Sequence, residues 1–296
     1  VKIAVILNKS ANAIKNDKEL SSEIILKKFK SFNIDCDIKF VEGKYLEDTA
    51  KQALSDGYNA VVAGGGDGTI SSIASALAGS SVPLGILPLG TLNHFAKDLK
   101  IPMDFDEAVK TISKMITKTI DVGEVNGRVF INNSSIGFYP KIVSYRKLHS
   151  KRLRMNKWLA MIIAFFNVFR SFPLVEVKLH SEKDVIKIKT PFVFIGNNYY
   201  QVDLFNVGER ANINKGELYI YFPRTKGRIS MLRFALLALS NNLKQAEDFV
   251  IESSENITLE TKKKYLKVSA DGEVYKLESP LHYKIKPLSL KVIATE

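Results

Sequence analysis

The sequence predicts an α/β N-terminal domain with a mostly parallel three-layer sheet, followed by a β-rich domain built as an antiparallel sandwich. Three observations carry this. Short aliphatic strands alternate with helix-period stretches up to about residue 120. After Asp121 the texture changes to a succession of strands separated by Asn, Gly, Lys and Asp. A chain of 296 residues is long enough to build two cores.

In the first region Lys2–Leu7 reads as a strand, Leu20–Phe32 as a helix, Cys36–Val41 as a strand and Leu46–Leu54 as a helix. Ala60–Ala63 is a third strand running into glycines, Ile70–Leu77 a helix, Pro83–Pro88 a fourth strand and Phe105–Met115 a closing helix. Beyond Asp121, strands are expected at Val129–Asn132, Leu174–His180, Val185–Lys189, Phe192–Gly196, Leu218–Phe222, Ile257–Glu260, Tyr265–Ser269 and Leu281–Lys286. Helical patches interrupt them at Asn156–Phe172 and Ile229–Leu243. Residues 1–122 are therefore assigned to a first domain and 123–286 to a second.

Composition narrows the class. Apolar residues make up 46% and charged residues 25%, an ordinary globular balance. The single cysteine, Cys36, excludes an internal disulfide and a cysteine-based zinc site and suits a reducing compartment. His149, His180 and His282 have no partner at metal-ligand spacing. Forty-three basic against thirty-one acidic side chains leave a net charge of +12, which attracts nucleotide phosphates, nucleic acid or an anionic membrane. No nucleic-acid-binding motif accompanies the charge, so nucleic acid is not an expected partner.

The longest apolar run, Trp158–Phe166, falls short of the roughly 20 residues a membrane span needs. Val1–Leu7 is too short for a signal peptide and Lys-rich sequence follows, so a cytoplasmic protein is expected. Basic residues from Arg146 to Lys157 lead directly into the apolar Trp158–Phe169 segment. That pairing would seat the protein peripherally on an anionic lipid surface at the inner face of the membrane. The alternative is a core helix with a solvated lead-in. Oligomeric state is left open.

The chemistry concentrates in two loops. In AVVAGGGDGTISSIASAL a strand runs into Gly64, Gly65 and Gly66, then Asp67, Gly68 and Thr69, then a helix. Glycines let the backbone approach a ligand and take conformations that side chains forbid. The helix start offers free amides and a positive dipole end to a phosphate. Asp67 there would hold a magnesium ion or orient the phosphate chain. A ligand-free strand-to-helix turn is the alternative. No Lys-Ser or Lys-Thr pair follows, so this is not a Walker loop, nor is it the spaced-glycine dinucleotide fingerprint. In LGILPLGTLNHFAKDL a strand ends at Pro88, Gly90 and Thr91 form a second amide-rich turn, and Asn93 can donate and accept. Both loops would lie at the carboxyl ends of parallel strands, where open α/β sheets bind ligands.

GGGDGT followed some twenty residues later by PLGTLNHFAKDL, with a late Ser269-Ala270-Asp271-Gly272-Glu273, resembles the catalytic region of the diacylglycerol, sphingosine and ceramide kinases and their bacterial lipid-kinase relatives. The first loop is shared with NAD kinases and, more distantly, phosphofructokinases; the second is more specific to lipid kinases. The resemblance implies ATP and Mg2+ as cofactors and a lipid acceptor, and a return of residues 287–296 to the first domain. It implies nucleotide contacts at Asn8, Ser10, Gly64, Gly65, Gly66, Asp67, Gly68, Thr69, Gly90, Thr91 and Asn93, and a magnesium ligand at Asp67. Asp271 and Glu273 match the acidic pair that activates the acceptor hydroxyl, with Asp67 assisting. Taken alone, Asp271-Gly272-Glu273 reads as a hairpin turn.

Departures accompany the matches. Asn8 and Ser10 match an Asn-x-x-Ser/Ala-Gly loop after the first strand, and Asn12 stands where that loop usually carries glycine. His94 replaces the usual Asp, Ser72 the usual Glu, and Lys215 an Asp that ligates a structural metal in several bacterial relatives. An ammonium at Lys215 cannot coordinate a cation; it is expected to lie near the carbonyls that would face one. The expected activity is transfer of the γ-phosphate of ATP to a hydroxyl of a diacylglycerol-like or sphingoid lipid. The alternatives are an NAD-kinase-like enzyme with a soluble acceptor and a non-catalytic nucleotide- or lipid-binding member of the fold.

Overall fold

The computed structural model describes residues 2–11, 21–138, 140, 174–182, 184–200, 210, 212–223 and 249–295. Asn12, His149, the basic Arg146–Lys157 stretch and the helices expected at Asn156–Phe172 and Ile229–Leu243 lie outside the described residues. The chain folds as two compact units: Val1–Val122 with Gly208–Asn214 and Lys286–Glu296, and Gly123–Val207 with Lys215–Ile285. No sequence signal had pointed to the placement of 208–214 in the first unit.

The first unit is an α/β fold. Its strands β1 (Lys2–Asn8), β2 (Asp35–Val41), β3 (Ala60–Gly65) and β4 (Leu84–Pro88) run parallel in the order β2-β1-β3-β4. Ile3 to Leu7 are fully buried, as expected of a central parallel strand covered on both faces. Helix α1 (Ser22–Ser31) follows β1, α2 (Leu46–Ser55) follows a 3-10 turn after β2, and α3 (Asp67–Leu77) springs from β3. From β1 the chain moves outward to β2 and then back past β1 to β3, so right-handed crossovers put α1 on one face and α2 and α3 on the other. Contacts agree: α2 packs on α3, and α1 on α5 (Phe105–Ser113).

Helix ends follow their caps. Ser21 accepts from the Ile24 amide to start α1 two residues after the expected Leu20. Asp104 accepts from the Glu107 amide at 3.0 Å, and this Asp-x-x-Glu start fixes α5. The last strand, β16 (Leu281–Ile293), enters from the second unit, where Leu281–Lys284 pair antiparallel with β13 (Asn256–Glu260); Val292 pairs parallel with Leu84 of β4. Where it turns past Pro287, Leu288 adopts a left-handed conformation and its amide donates to the buried Asp121 carboxylate at 2.9 Å.

The second unit is antiparallel. One sheet orders β12 (Phe249–Ser254), β11 (Leu218–Pro223), β10 (Phe192–Asn197), β7 (Asn133–Gly137), β14 (Tyr265–Ala270) and β15 (Glu273–Glu278). In the other, β13 pairs with β8 (Val175–His180), which pairs with β9 (Val185–Thr190). Inward residues of both, among them Ile136, Ile195, Ile220, Phe222 and Val268 against Val177, Leu179, Ile257, Leu259 and Tyr283, form one core. Four strands had not been expected: β5 (Thr117–Val125), β7, β12 and β15. The residues Val129–Asn132, expected as one strand, supply only β6 (Arg128–Phe130) before the chain enters β7.

Candidate functional site

The first unit builds a site where its strand order reverses. β1 and β3 are neighbours, yet the helices that follow them leave to opposite faces, which opens a crevice at their carboxyl ends. Asn8 ends β1, and Thr69 is the third residue of α3. The Asn8 Nδ2 donates to Thr69 Oγ1 at 2.9 Å, while its Oδ1 accepts from the Ser10 amide at 2.9 Å and its carbonyl from the Ala11 amide at 2.9 Å. The half-buried Asn8 side chain thus shapes its own turn and holds the glycine loop beside it. Ser10 is exposed at the crest of that turn.

The glycine loop differs from expectation in how it uses its glycines. None of Gly64, Gly65, Gly66 and Gly68 has a positive φ; Gly66, at φ −88 and ψ −177, is ordinary extended backbone capping α3. Close approach is the reason instead. A Cβ on Gly64 would overlap Leu7 Cδ2, and one on Gly65 would sit 2.5 Å from Thr69 Oγ1. A Cβ on Gly90 would run into the Gly66 backbone, so two glycines let the two loops touch. Gly68 is exposed, and a Cβ there meets open space.

Asp67 is the first residue of α3, where a negative charge suits the helix dipole. Its Oδ1 accepts from the Phe95 amide at 3.2 Å, which ties the glycine loop to helix α4 (His94–Asp98). The Leu89 amide adds a second tie, to the Gly65 carbonyl at 3.1 Å. Asn93 caps α4 in the left-handed region, φ 50 and ψ 44. It is buried; Oδ1 accepts from the Gly90 amide at 3.0 Å and Nδ2 donates to the Pro88 and Gly90 carbonyls at 3.1 Å each. The Asn93 amide is therefore committed to folding its own loop, which turns the exposed Thr91 and Leu92 outward.

Among the described residues a magnesium ion would find the Asp67 carboxylate here. Among the described residues no three His, Cys, Asp or Glu side chains gather at metal-binding spacing. Asp67, with one oxygen taken by Phe95, fits an ion that brings its own waters and phosphate oxygens, the usual habit of magnesium at nucleotides.

The sequence reading missed Arg210. Its Nε donates to Asp98 Oδ2 at 2.8 Å and its amide to Oδ1 at 3.2 Å, with both side chains all but excluded from solvent at 0% and 1%. Burial pushes the Asp98 carboxyl above its ordinary range, and the guanidinium pulls against that. The partners stand 112 positions apart, so no local pattern announces them.

In the second unit Asp271 and Gly272, at φ 47 and φ 81, form the two-residue turn between β14 and β15, flanked by the Ala270–Glu273 pair. The Asp271 carboxylate faces the start of β7: Oδ2 accepts from the Ile131 amide at 2.8 Å, and Oδ1 from Asn132 and Asn133 at 2.8 and 3.0 Å. The Asp271 amide returns a bond to the Asn133 carbonyl at 2.9 Å. A carboxylate has about four lone-pair sites, so three of them are occupied by backbone. Glu273 is exposed at the start of β15.

The departures occupy ordinary positions. Ser72 Oγ donates back to the Gly68 carbonyl at 2.8 Å on α3, and His94 is the half-buried first residue of α4. Lys215 is exposed; its amide donates to Asn198 Oδ1 at 2.8 Å, while its ammonium makes no hydrogen bond or ion pair among the described residues.

Comparison with known proteins agrees with this geometry. The family model described as "Diacylglycerol kinase catalytic domain" matches residues 2–125. An uncharacterised protein of Synechocystis is 28% identical over 285 residues, which cover 94% of this chain and 65% of that protein. A Pseudomonas aeruginosa protein named a probable lipid kinase, YegS-like, is 43% identical over 96 residues, 32% of either chain. The matched regions thus span less than two thirds of these relatives. A crystal structure of a diacylglycerol kinase from Bacillus anthracis superposes with a TM-score of 0.69 over 99% of this chain and 97% of that one, at 20% identity, and so shares the fold. A glycine loop on an α/β unit, followed by an antiparallel unit, is the arrangement these comparisons share. Residues 2–125 are similar to the diacylglycerol kinase catalytic domain, and the whole chain shares the fold of the Bacillus anthracis protein.

Proposed function

We propose that the chain is an ATP-dependent lipid kinase that phosphorylates a hydroxyl of a diacylglycerol-like or sphingoid lipid. One observation carries this most: Asn8, Gly66–Thr69 and Gly90–Thr91 converge at the carboxyl ends of β1, β3 and β4, joined by the Asn8–Thr69 bond and the Gly66–Gly90 contact. A helix start at the carboxyl ends of parallel strands is a place that takes phosphates. The lipid acceptor rests on the similarity to the diacylglycerol kinase catalytic domain, supported by the lipid-kinase name of the Pseudomonas relative.

In the reaction the acceptor oxygen attacks the γ-phosphorus, the bond to the bridging β,γ-oxygen breaks, and ADP leaves with that electron pair. The hydroxyl proton passes to a carboxylate of the Asp271–Glu273 turn. The glycine loop and the turn at the exposed Thr91 bind the phosphate chain, and Asp67 would hold a magnesium ion that screens the phosphate charge. Among the described residues no helix is long and apolar enough to cross a membrane; a cytoplasmic enzyme meeting its lipid at an anionic surface fits this and the net charge of +12.

The test is incubation with γ-labelled ATP and a panel of lipid extracts, with product identified by mass spectrometry. A phosphorylated lipid supports the proposal, and NADP formed from NAD would transfer it to a soluble acceptor. A second reading, a non-catalytic member that binds nucleotide or lipid, is favoured by the three backbone amides already on Asp271. Nucleotide binding with no labelled product from any extract selects it.

A further inference from the structure

We propose that Arg210 is a positioning residue for the nucleotide loops, acting through Asp98 and helix α4; this rests on the kinase reading above. Helix α4 has five residues, far fewer than a helix needs to hold its own shape in water. It is held at both ends instead. At its start the Phe95 amide donates to Asp67 in the glycine loop at 3.2 Å. At its end Asp98 is gripped by the backbone and guanidinium of Arg210, and the guanidinium carbon lies 5.8 Å from the Phe95 ring centre. The helix is thus strung between the phosphate loop and one arginine.

The arginine is itself fixed. Its segment, 208–214, lies in sequence between β10 and β11 yet belongs to the first unit. Besides Arg210, Ile213 accepts from the Asp121 amide at 3.3 Å and Asn214 Nδ2 donates to the Thr119 carbonyl at 3.0 Å. A buried ion pair contributes little net stability compared with apolar residues of the same volume. What it does supply is direction, because a planar guanidinium accepts few orientations of its carboxylate. Released from Arg210, α4 would tilt about Asn93, drawing the Phe95 amide from Asp67 and disturbing the contact between Gly66 and Gly90.

Two variants of the full chain test this. Arg210→Lys keeps the charge and loses the fork; the double variant Arg210→Met with Asp98→Leu removes both charges and leaves none buried alone. Affinity for a non-hydrolysable ATP analogue is read by calorimetry, Tm by circular dichroism, and KM for ATP and for the lipid by turnover. Both variants are expected to fold and to bind the analogue roughly tenfold or more weakly, as displaced loops require. KM for ATP should rise in step while KM for the lipid stays within about twofold. Equal analogue affinity in the parent and both variants overturns the proposal, as does a loss that only tracks the unfolded fraction. A parent chain that binds no analogue removes the kinase reading and this proposal with it, whereas a parent that binds and variants that bind equally remove this proposal alone.

Discussion

Asn8 Nδ2 lies 2.9 Å from Thr69 Oγ1, and this bond joins the end of β1 to the first turn of α3, at the point where the chain's helices part to opposite faces. Thr69 is 4% exposed, so the bond works in a poorly hydrated place. Thr69→Val keeps the shape and leaves the Asn8 amide with one fewer acceptor. A loss of about 1 kcal/mol of stability is expected from either Thr69→Val or Asn8→Ala. The double variant should cost less than the sum, with a coupling of at least about 0.5 kcal/mol by urea unfolding. Simple additivity would show the bond to be incidental.

Two glycines should respond in opposite directions. Gly90→Ala places a methyl group against the Gly66 backbone and 2.6 Å from Asn93 Oδ1. Overpacking of this kind costs about 1–3 kcal/mol, so Tm should fall. Gly68→Ala points into open space on the first turn of α3 and should leave Tm unchanged or raise it slightly, since Ala outranks Gly in helices. Yet its methyl group enters the place assigned to the phosphates, so affinity for the ATP analogue should drop. A Gly68→Ala chain that binds nucleotide normally would move the phosphates elsewhere in the crevice.

Patterns of apolar residues made the first unit legible. Ile3–Leu7 and Ala60–Ala63 are buried on both faces and read as uninterrupted aliphatic runs, and turn residues bound them. β7 was not legible: Asn133-Ser134-Ser135-Ile136-Gly137 holds residues that strands disfavour, yet β10 and β14 flank it and bury Ser134 and Ser135. Tertiary pairing overrides propensity there. At the candidate site the loop residues stood out by composition, but their division of labour did not. Asn93 and Asp271 look alike as polar turn residues, and only coordinates show their side chains bonded to nearby backbone. The Asp98–Arg210 pair left no mark in sequence because its partners are remote.

The one cysteine offers a pH test. Cys36 is 5% exposed on β2. Burial, with the charges of Asp35 and Asp37 adding to it, pushes its thiol up to about 11 from an ordinary 9.0. In the fold the thiol keeps its proton between these values while the unfolded chain releases it. The folded state therefore binds more protons, and stability should be whole below pH 9.0 and decline as pH rises towards about 11. A disulfide-exchange reagent at pH 8 should label the native chain far more slowly than the urea-unfolded chain. Equal rates would place Cys36 at the surface.

Asp271 supplies the decisive test of chemistry against architecture. Asp271→Asn can keep one oxygen facing the Asn132 and Asn133 amides, but it then turns an NH2 group toward the Ile131 amide, a donor facing a donor. Leaving that buried amide without its acceptor should cost about 1–3 kcal/mol. The substitution therefore alters the fold as well as any base, and turnover has to be measured well below Tm with the folded fraction known. Glu273→Gln, at an exposed position, should change stability by less than about 0.5 kcal/mol. If the Asp271 carboxylate takes the acceptor proton, folded Asp271→Asn should lose about a hundredfold or more in kcat. Its affinity for the ATP analogue should stay at the parent value, because every nucleotide contact proposed lies in the first unit. If folded Asp271→Asn turns over like the parent and Glu273→Gln does not, the base is Glu273 and Asp271 serves to fold the turn. If both turn over normally, this hairpin has no part in proton transfer.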